Sequence, residues 1–214
     1  MNFKYYHTER LTILILSLTL VITPLSNFIE EKIAANKAIN VLYGYIGVFS
    51  TISILTLVLL LINNYLWQFK AFKWLVNIPN LNGRYQGELV SMFIDTATNQ
   101  QTRKHCVIEV KQNASKIKLH SYYGDLNTLE QTSQAESVSE EIIEQSNGIF
   151  EVFYIFSNSA SALETQLNNH IGTCSLSYFP DTKRLEGEYY NQRGLKGIIK
   201  VSFIQTKLLG RLKA

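Results

Sequence analysis

VLYGYIGVFSTISILTLVLLLINNYLWQFKAFKW, residues 41–74, decides the fold. Its first 22 residues, Val41 to Ile62, carry no charge. Wound into a helix at ~1.5 Å per residue, such a run spans the ~30 Å hydrocarbon core of a bilayer. Tyr65, Trp67, Phe69, Phe72 and Trp74 follow at once, interleaved with Lys70 and Lys73. Rings and lysines at the end of an apolar run anchor a helix at the lipid headgroups. The core helix of a soluble protein can be apolar throughout, but it rarely carries such a flank. The stretch therefore reads as a membrane span, and the chain on either side is read from it.

Upstream, Leu11 to Ile29 gives 19 further uncharged residues behind the short basic and aromatic start MNFKYYHTER. A signal peptide would share the basic start and apolar core, but no small-x-small cleavage site follows Ile22. The segment is read as a retained anchor, with Pro24 expected to kink or end its helix near the last turn. The connection EEKIAANKAIN, residues 30–40, is short. It makes residues 1–75 a two-helix transmembrane hairpin with spans at about 11–29 and 41–62. Lys4, Arg10, Lys70 and Lys73 flank the outer ends against Lys32 and Lys37 in the loop. By the distribution of cations, both the N- and C-termini are expected in the cytoplasm, with the protein multi-pass. Gly44, Gly47 and Thr51 place small residues on one face of the second helix, where helix backbones can approach closely. That face can serve packing between copies or only against the first helix.

From Pro79 onward the hydrophobic period falls to two. Strand-like runs appear at 83–93, 105–112, 116–123, 134–143, 149–157, 170–179, 184–191 and 197–203, separated by turn signals such as Tyr123-Gly-Asp, Ser146-Asn-Gly and Pro180-Asp-Thr-Lys. With no amphipathic helix between them, residues 76–214 are expected to form an all-β domain. The expected form is an eight-stranded, lipocalin-like up-and-down barrel, which removes sheet edges and has room for side chains or one small ligand. A β-sandwich is the alternative. The weakest strand is QAESVSEEII at 134–143, whose pattern could be partly helical.

The net charge of +3 lies wholly in residues 1–73, where six Lys/Arg face three Asp/Glu; the 14 cations and 14 anions beyond cancel. A neutral domain argues against a DNA or RNA partner. Two cysteines, Cys106 and Cys174, are too few for a disulfide-built extracellular scaffold. The four histidines and two cysteines show no metal-ligand spacing, and no nucleophile elbow or phosphate-cradling glycine loop occurs. Neither an enzyme nor a resident cofactor is expected. Asn113-Ala-Ser115 matches a glycosylation acceptor, a chance match in a cytoplasmic domain.

Period-two phasing assigns faces. Tyr85, Gly87, Leu89, Ser91 and Phe93 share the inward face of the first strand; Arg84, Gln86 and Glu88 share the other. Cys106, Ile108 and Val110 oppose His105, Glu109 and Lys111, so most charges fall outside. Extending the phase of Leu185, Tyr189 and Asn191 brings Arg193 inward, and His170 is in phase with Cys174 and Leu176. Tyr154 and Tyr178 share faces with apolar neighbours. Tyr85, Ser91, Tyr154, His170, Tyr189, Asn191 and Arg193 thus form a candidate pocket for a polar, aromatic, anionic ligand. Arginine offers phosphate a planar fork of donors, and tyrosines stack on bases. Alternatively, Arg193 lies past the strand end in solvent and the tyrosines merely fill the core.

The chain resembles the two-transmembrane, β-strand-rich effectors of CBASS, bacterial anti-phage systems that signal with cyclic oligonucleotides. The resemblance runs through the helical hairpin, IPNLNGRYQGEL at 78–89, HIGTCSL at 170–176 and RLEGEYYNQRGLKGIIKVSF at 184–203, with its Gly-x-Tyr-Tyr-x-x-Arg core from Gly187 to Arg193. Tyr85 stands where the pattern has tryptophan. The resemblance implies a receptor-effector whose barrel binds a cyclic dinucleotide made by a cognate nucleotidyltransferase. It further implies a ligand-induced homo-oligomer among the lipids of the cell inner membrane, membrane disruption and abortive cell death. The competing class is a membrane-tethered scaffold or lipid-binding barrel that senses no nucleotide.

Overall fold

A computed structural model describes residues 2–35, 50–95, 99–161 and 169–213. Gly44 and Gly47, expected on a packing face, lie outside the described residues, as do residues 41–49 of the expected second span. The chain divides into two compact units, residues 1–77 with the turn Asn113–Lys116, and the rest from Ile78 onward.

In the first unit α1, Thr8–Ala34, is 27 residues long and is, among the described residues, the one helix long and apolar enough to cross a membrane. At ~1.5 Å per residue it reaches roughly 40 Å. Of the two outcomes expected at Pro24, a kink or an end, the helix does not end there; it continues ten residues further, to Ala34. A proline removes one N–H donor and crowds one carbonyl, a local loss that the other backbone bonds of an apolar helix can outlast. Thr12, Thr19 and Thr23 settle their hydroxyls on carbonyls four residues back, at 3.0, 2.8 and 2.8 Å. The second helix, α2, Thr51–Asn64, starts at Ser50, whose Oγ accepts from Ser53 N at 3.3 Å. Thr51 is its first residue and is half-buried.

Two 3-10 turns follow, Leu66–Gln68 and Lys70–Phe72. Tyr65, Phe69 and Trp74 are exposed as expected of interfacial rings, but Trp67 is 1% exposed and belongs to the packing of the unit. Tyr6 pairs with Val76, Arg10 donates to Trp74 O at 2.5 Å, and the Tyr6 hydroxyl reaches Asn63 Oδ1 at 3.4 Å. Asn113 Oδ1 accepts from Ser115 N and Lys116 N, both at 2.9 Å. An Asx turn therefore accounts for the tripeptide that mimics a glycosylation acceptor.

The second unit is a closed, eight-stranded antiparallel barrel in strict chain order. Its strands are β1 Gly83–Asp95, β2 Gln100–Gln112, β3 Ile117–Gly124, β4 Gln131–Glu144, β5 Phe150–Ala160, β6 His170–Phe179, β7 Arg184–Asn191 and β8 Lys196–Gln205. The ladder closes where β1 meets β8, with Tyr85 opposite Phe203 and Ser91 opposite Gly197. The doubtful run 134–143 is strand throughout, part of β4. Its pattern is poor because the register shifts between Ser137 and Ser139, which flips the face assignment half way along. Inside, Tyr85, Ile108, Leu119, Val152, Leu176, Leu185 and Val201 are almost fully buried. Gly87 and Gly187 lie where a Cβ would collide with the carbonyl oxygens of Lys200 and Ser175. Such glycines let neighbouring strands approach as the sheet curls shut.

One correction concerns the outer face. Arg84 and Glu109 do point outward, as phasing requires, yet they are 2% and 3% exposed. The C-terminal segment 206–213, which carries no strand pattern, covers them. Arg84 Nη1 lies 2.7 Å from Glu109 Oε1 and donates to Arg211 O at 2.7 Å, and Nη2 donates to Leu212 O. Glu109 in turn accepts from Leu209 N at 2.7 Å and from Gly210 N at 3.1 Å. Leu212 completes the strap by packing on outward-facing Val107 and Tyr122. Both Nη atoms of Arg84 and both carboxylate oxygens of Glu109 thus meet backbone as well as each other, which is what burying an ion pair demands.

Candidate functional site

β1, β3, β5 and β7 all finish at one end of the barrel, and near it lies a cavity of about 210 Å³. Inward positions near the ends of β1 to β7 reach it. From β1 come Leu89, Ser91, Phe93 and Asp95; from β2, Thr102 and Lys104; from β3, Tyr123; from β5, Phe156 and Asn158. β7 and its turn supply Tyr189, Asn191, Arg193 and Leu195, while Ser133 and His170 close the wall.

Five of the seven candidate residues thus line one cavity: Ser91, His170, Tyr189, Asn191 and Arg193. Tyr85 does not. It is six residues of β1 from Ser91, roughly 20 Å along the strand. Its hydroxyl donates to Leu81 O at 3.0 Å and its ring meets Phe203 edge-on at 5.6 Å. Tyr154 lies beneath the cavity, 5% exposed and opposite Cys174, with no nitrogen or oxygen partner for its hydroxyl among the described residues. Tyr85 and Tyr154 fill the core, and Arg193 stands on the rim, exposed.

The turn after β7 is what sets Arg193 there. Asn191 Oδ1 accepts from Arg193 N and Leu195 N, each at 3.1 Å, and Gly194 takes φ +75° to close the loop. Asn191 therefore shapes the loop that presents the guanidinium. Tyr189 and Tyr123 add phenols whose pKa values lie above the ordinary value, chiefly through burial. For Tyr189 a hydrogen bond with Ser91 partly offsets the rise. At neutral pH both are donors. Phe156 meets the His170 ring edge-on at 6.2 Å. Asn158 and Ser133 line the same cavity, 3% and 7% exposed.

Below the cavity Cys106 and Cys174 are free and buried. Burial pushes the Cys174 thiol up to about 12 and that of Cys106 higher, so neither is a thiolate nucleophile at neutral pH.

Lys104, Tyr123, Phe156 and Asn158 are missing from the sequence-derived set. Their signal was present: Lys104 is in phase with Cys106, Tyr123 with Ile117 and Leu119, and Asn158 with Tyr154. Lys104 and Asn158 sit one residue beyond the expected runs 105–112 and 149–157, whereas Tyr123 and Phe156 lie inside theirs, at positions that read as core.

The cavity thus gathers two cations, aromatic rings and polar groups at one end of the barrel. Residues 76–202 match the family model of the Cap15 cyclic dinucleotide receptor domain, and the chain belongs to that family. The family is one of receptor domains. A curated relative is CD-NTase-associated protein 15 of Yersinia aleksiciae, 27% identical over 131 residues. The match covers 60% of this chain and 56% of the relative, so the chain spans little more than half of that protein's length.

Proposed function

We propose that this protein is the membrane-anchored effector of a CBASS anti-phage system and that its open cavity is the receptor site for a cyclic dinucleotide. The observation that carries the reading is the meeting of Arg193 and Lys104 with Tyr123, Tyr189 and Phe156 in one cavity. Two cations, one on β2 and one in the turn after β7, suit two phosphates, and the rings suit two bases. A lipid-binding barrel would have a uniformly apolar cavity; here Ser91, Ser133, Asn158 and Asn191 interrupt the walls.

Calorimetric titration of the full-length protein in detergent with a panel of cyclic dinucleotides tests the site. Binding of at least one member is expected, and binding of none sinks the reading.

Ligand then drives copies of the protein together in the inner membrane, and the assembled helices breach it, killing the cell. Ligand can do so only by binding the assembled state more tightly than the single copy. A complete reversal of populations needs ~5.5 kcal/mol of differential affinity. The nucleotide is made in the cytoplasm, so the barrel must face it. Reporter fusions are expected to place both termini in the cytoplasm and residues 30–40 outside. A C-terminus on the outer side would separate receptor from ligand and defeat the scheme.

A further inference from the structure

We infer that Leu212 is a positioning residue of the cavity: through it the C-terminal strap holds the Tyr123 ring in the wall from behind. This rests on the cavity being the dinucleotide site. The strap lies beyond residues 76–202, which the family model matches, so the brace is supplied from outside the matched domain.

Successive side chains of a strand point to opposite faces. On β3, Tyr123 turns into the cavity while its two neighbours, Tyr122 and Gly124, face outward. Leu212 occupies the outer side of both. Its side chain, 4% exposed, packs on Tyr122 and on Val107, the partner of Tyr122 on β2. At Gly124 a Cβ would collide with Leu212 Cδ2, so the glycine leaves the room that the leucine fills. Leu212 N donates to Gln131 Oε1 at 3.3 Å, and Gln131 is the partner of Gly124 on β4.

The strand needs this support where it receives it. The register between β3 and β4 shifts between Tyr123 and Gly124, and such a bulge interrupts the ladder that would otherwise fix the aim of the side chain. A chain end is ordered only when tied down. The bonds of Leu209 N and Gly210 N to Glu109, and of Arg84 to the carbonyls of Arg211 and Leu212, do this and deliver the leucine to β3. A ring held in place before the ligand arrives spares the cost of ordering it on binding. The coupling is reciprocal: whatever factor the docked strap adds to ligand affinity, bound ligand adds to docking of the strap.

The test uses Leu212→Ala and Leu212→Met in the full-length protein in detergent. Each is titrated, well below its thermal midpoint, with the cyclic dinucleotide of the panel that wild type binds most tightly. Leu212→Ala is expected to weaken binding roughly five- to tenfold, part of what a stacked base contributes. Leu212→Met restores the bulk and is expected to bind close to wild type. The alanine loss is expected to vanish when Tyr123→Leu is already present and to persist in full beside Arg193→Ala. An alanine variant that binds like wild type, or a loss that persists beside Tyr123→Leu, overturns the brace. Should the alanine variant fail to fold, hydrogen exchange at the Leu209 and Gly210 amides gives the reading in wild type. Bound ligand is expected to slow it by a similar factor, and an unchanged rate overturns the brace. A wild type that binds no dinucleotide overturns the cavity reading and this one with it; a wild type that binds, beside an alanine variant that binds equally well, overturns this one alone.

Discussion

Arg84→Met is expected to destabilise the barrel by about 3–5 kcal/mol, the usual cost of stranding one partner of a buried ion pair. In a chain of this size that corresponds to a fall in thermal midpoint on the order of 10 °C. The substitution leaves the Glu109 carboxylate under the C-terminal strap with two backbone donors and no cation. It also strips the carbonyls of Arg211 and Leu212 of their donors. Thermal melts of the full-length protein followed by circular dichroism measure the loss. Replacing Glu109 by leucine in the same chain should recover part of it, because the pair then leaves together. A midpoint within a degree or two of wild type would show that the strap contributes little.

Removing both fixed cations of the cavity is expected to reduce dinucleotide affinity most. Arg193→Ala and Lys104→Ala should each lose about 1.5–3 kcal/mol, the worth of a charge-assisted hydrogen bond. That is roughly a tenfold to hundredfold loss apiece. Lys104 lies on β2 and Arg193 in the turn after β7, so their losses should add in the double variant. Arg193→Lys should retain only part of the affinity, since lysine keeps the charge and lacks the planar fork. Fewer phosphate contacts should also flatten the dependence of affinity on salt. A folded double variant that binds like wild type would remove the phosphate role from both.

The barrel was legible because alternation survives wherever one face of a strand is buried and the other is wet. His170–Phe179 and Arg184–Asn191 come out with the bounds the pattern gives. Legibility fails where that contrast fails. β4 reads poorly because its bulge reverses the faces in mid-strand. Arg84 and Glu109 mark an outer face that is not wet, and nothing in residues 206–213 announces the segment that covers them. Pro24 does not stop its helix because a breaker in water is a lesser disturbance in an apolar helix. In the cavity, tyrosine at an inward position means core at Tyr85 and Tyr154 but wall at Tyr123 and Tyr189. Only the height along the barrel distinguishes them, and height depends on register. Lys104 and Asn158 fell outside the expected set because polar residues at strand ends look like the start of a loop. At an open barrel mouth the same polarity is the inner wall.

Closure of the ladder between β1 and β8 also limits how barrels can meet. An open sheet can recruit a second copy by lending its unpaired edge, and the result is a ribbon that extends indefinitely. Here each strand has a neighbour on both sides, so no copy can be added by strand extension without first breaking the ring. Contacts between barrels must instead be made by side chains. The described outer surface offers them at Val138 on the β4 bulge, 62% exposed, and at Ile171 on β6, 52% exposed. Association through such patches depends on shape and is bounded by the geometry of the two faces. It is more easily reversed than a shared sheet, which suits the ligand-driven association proposed above.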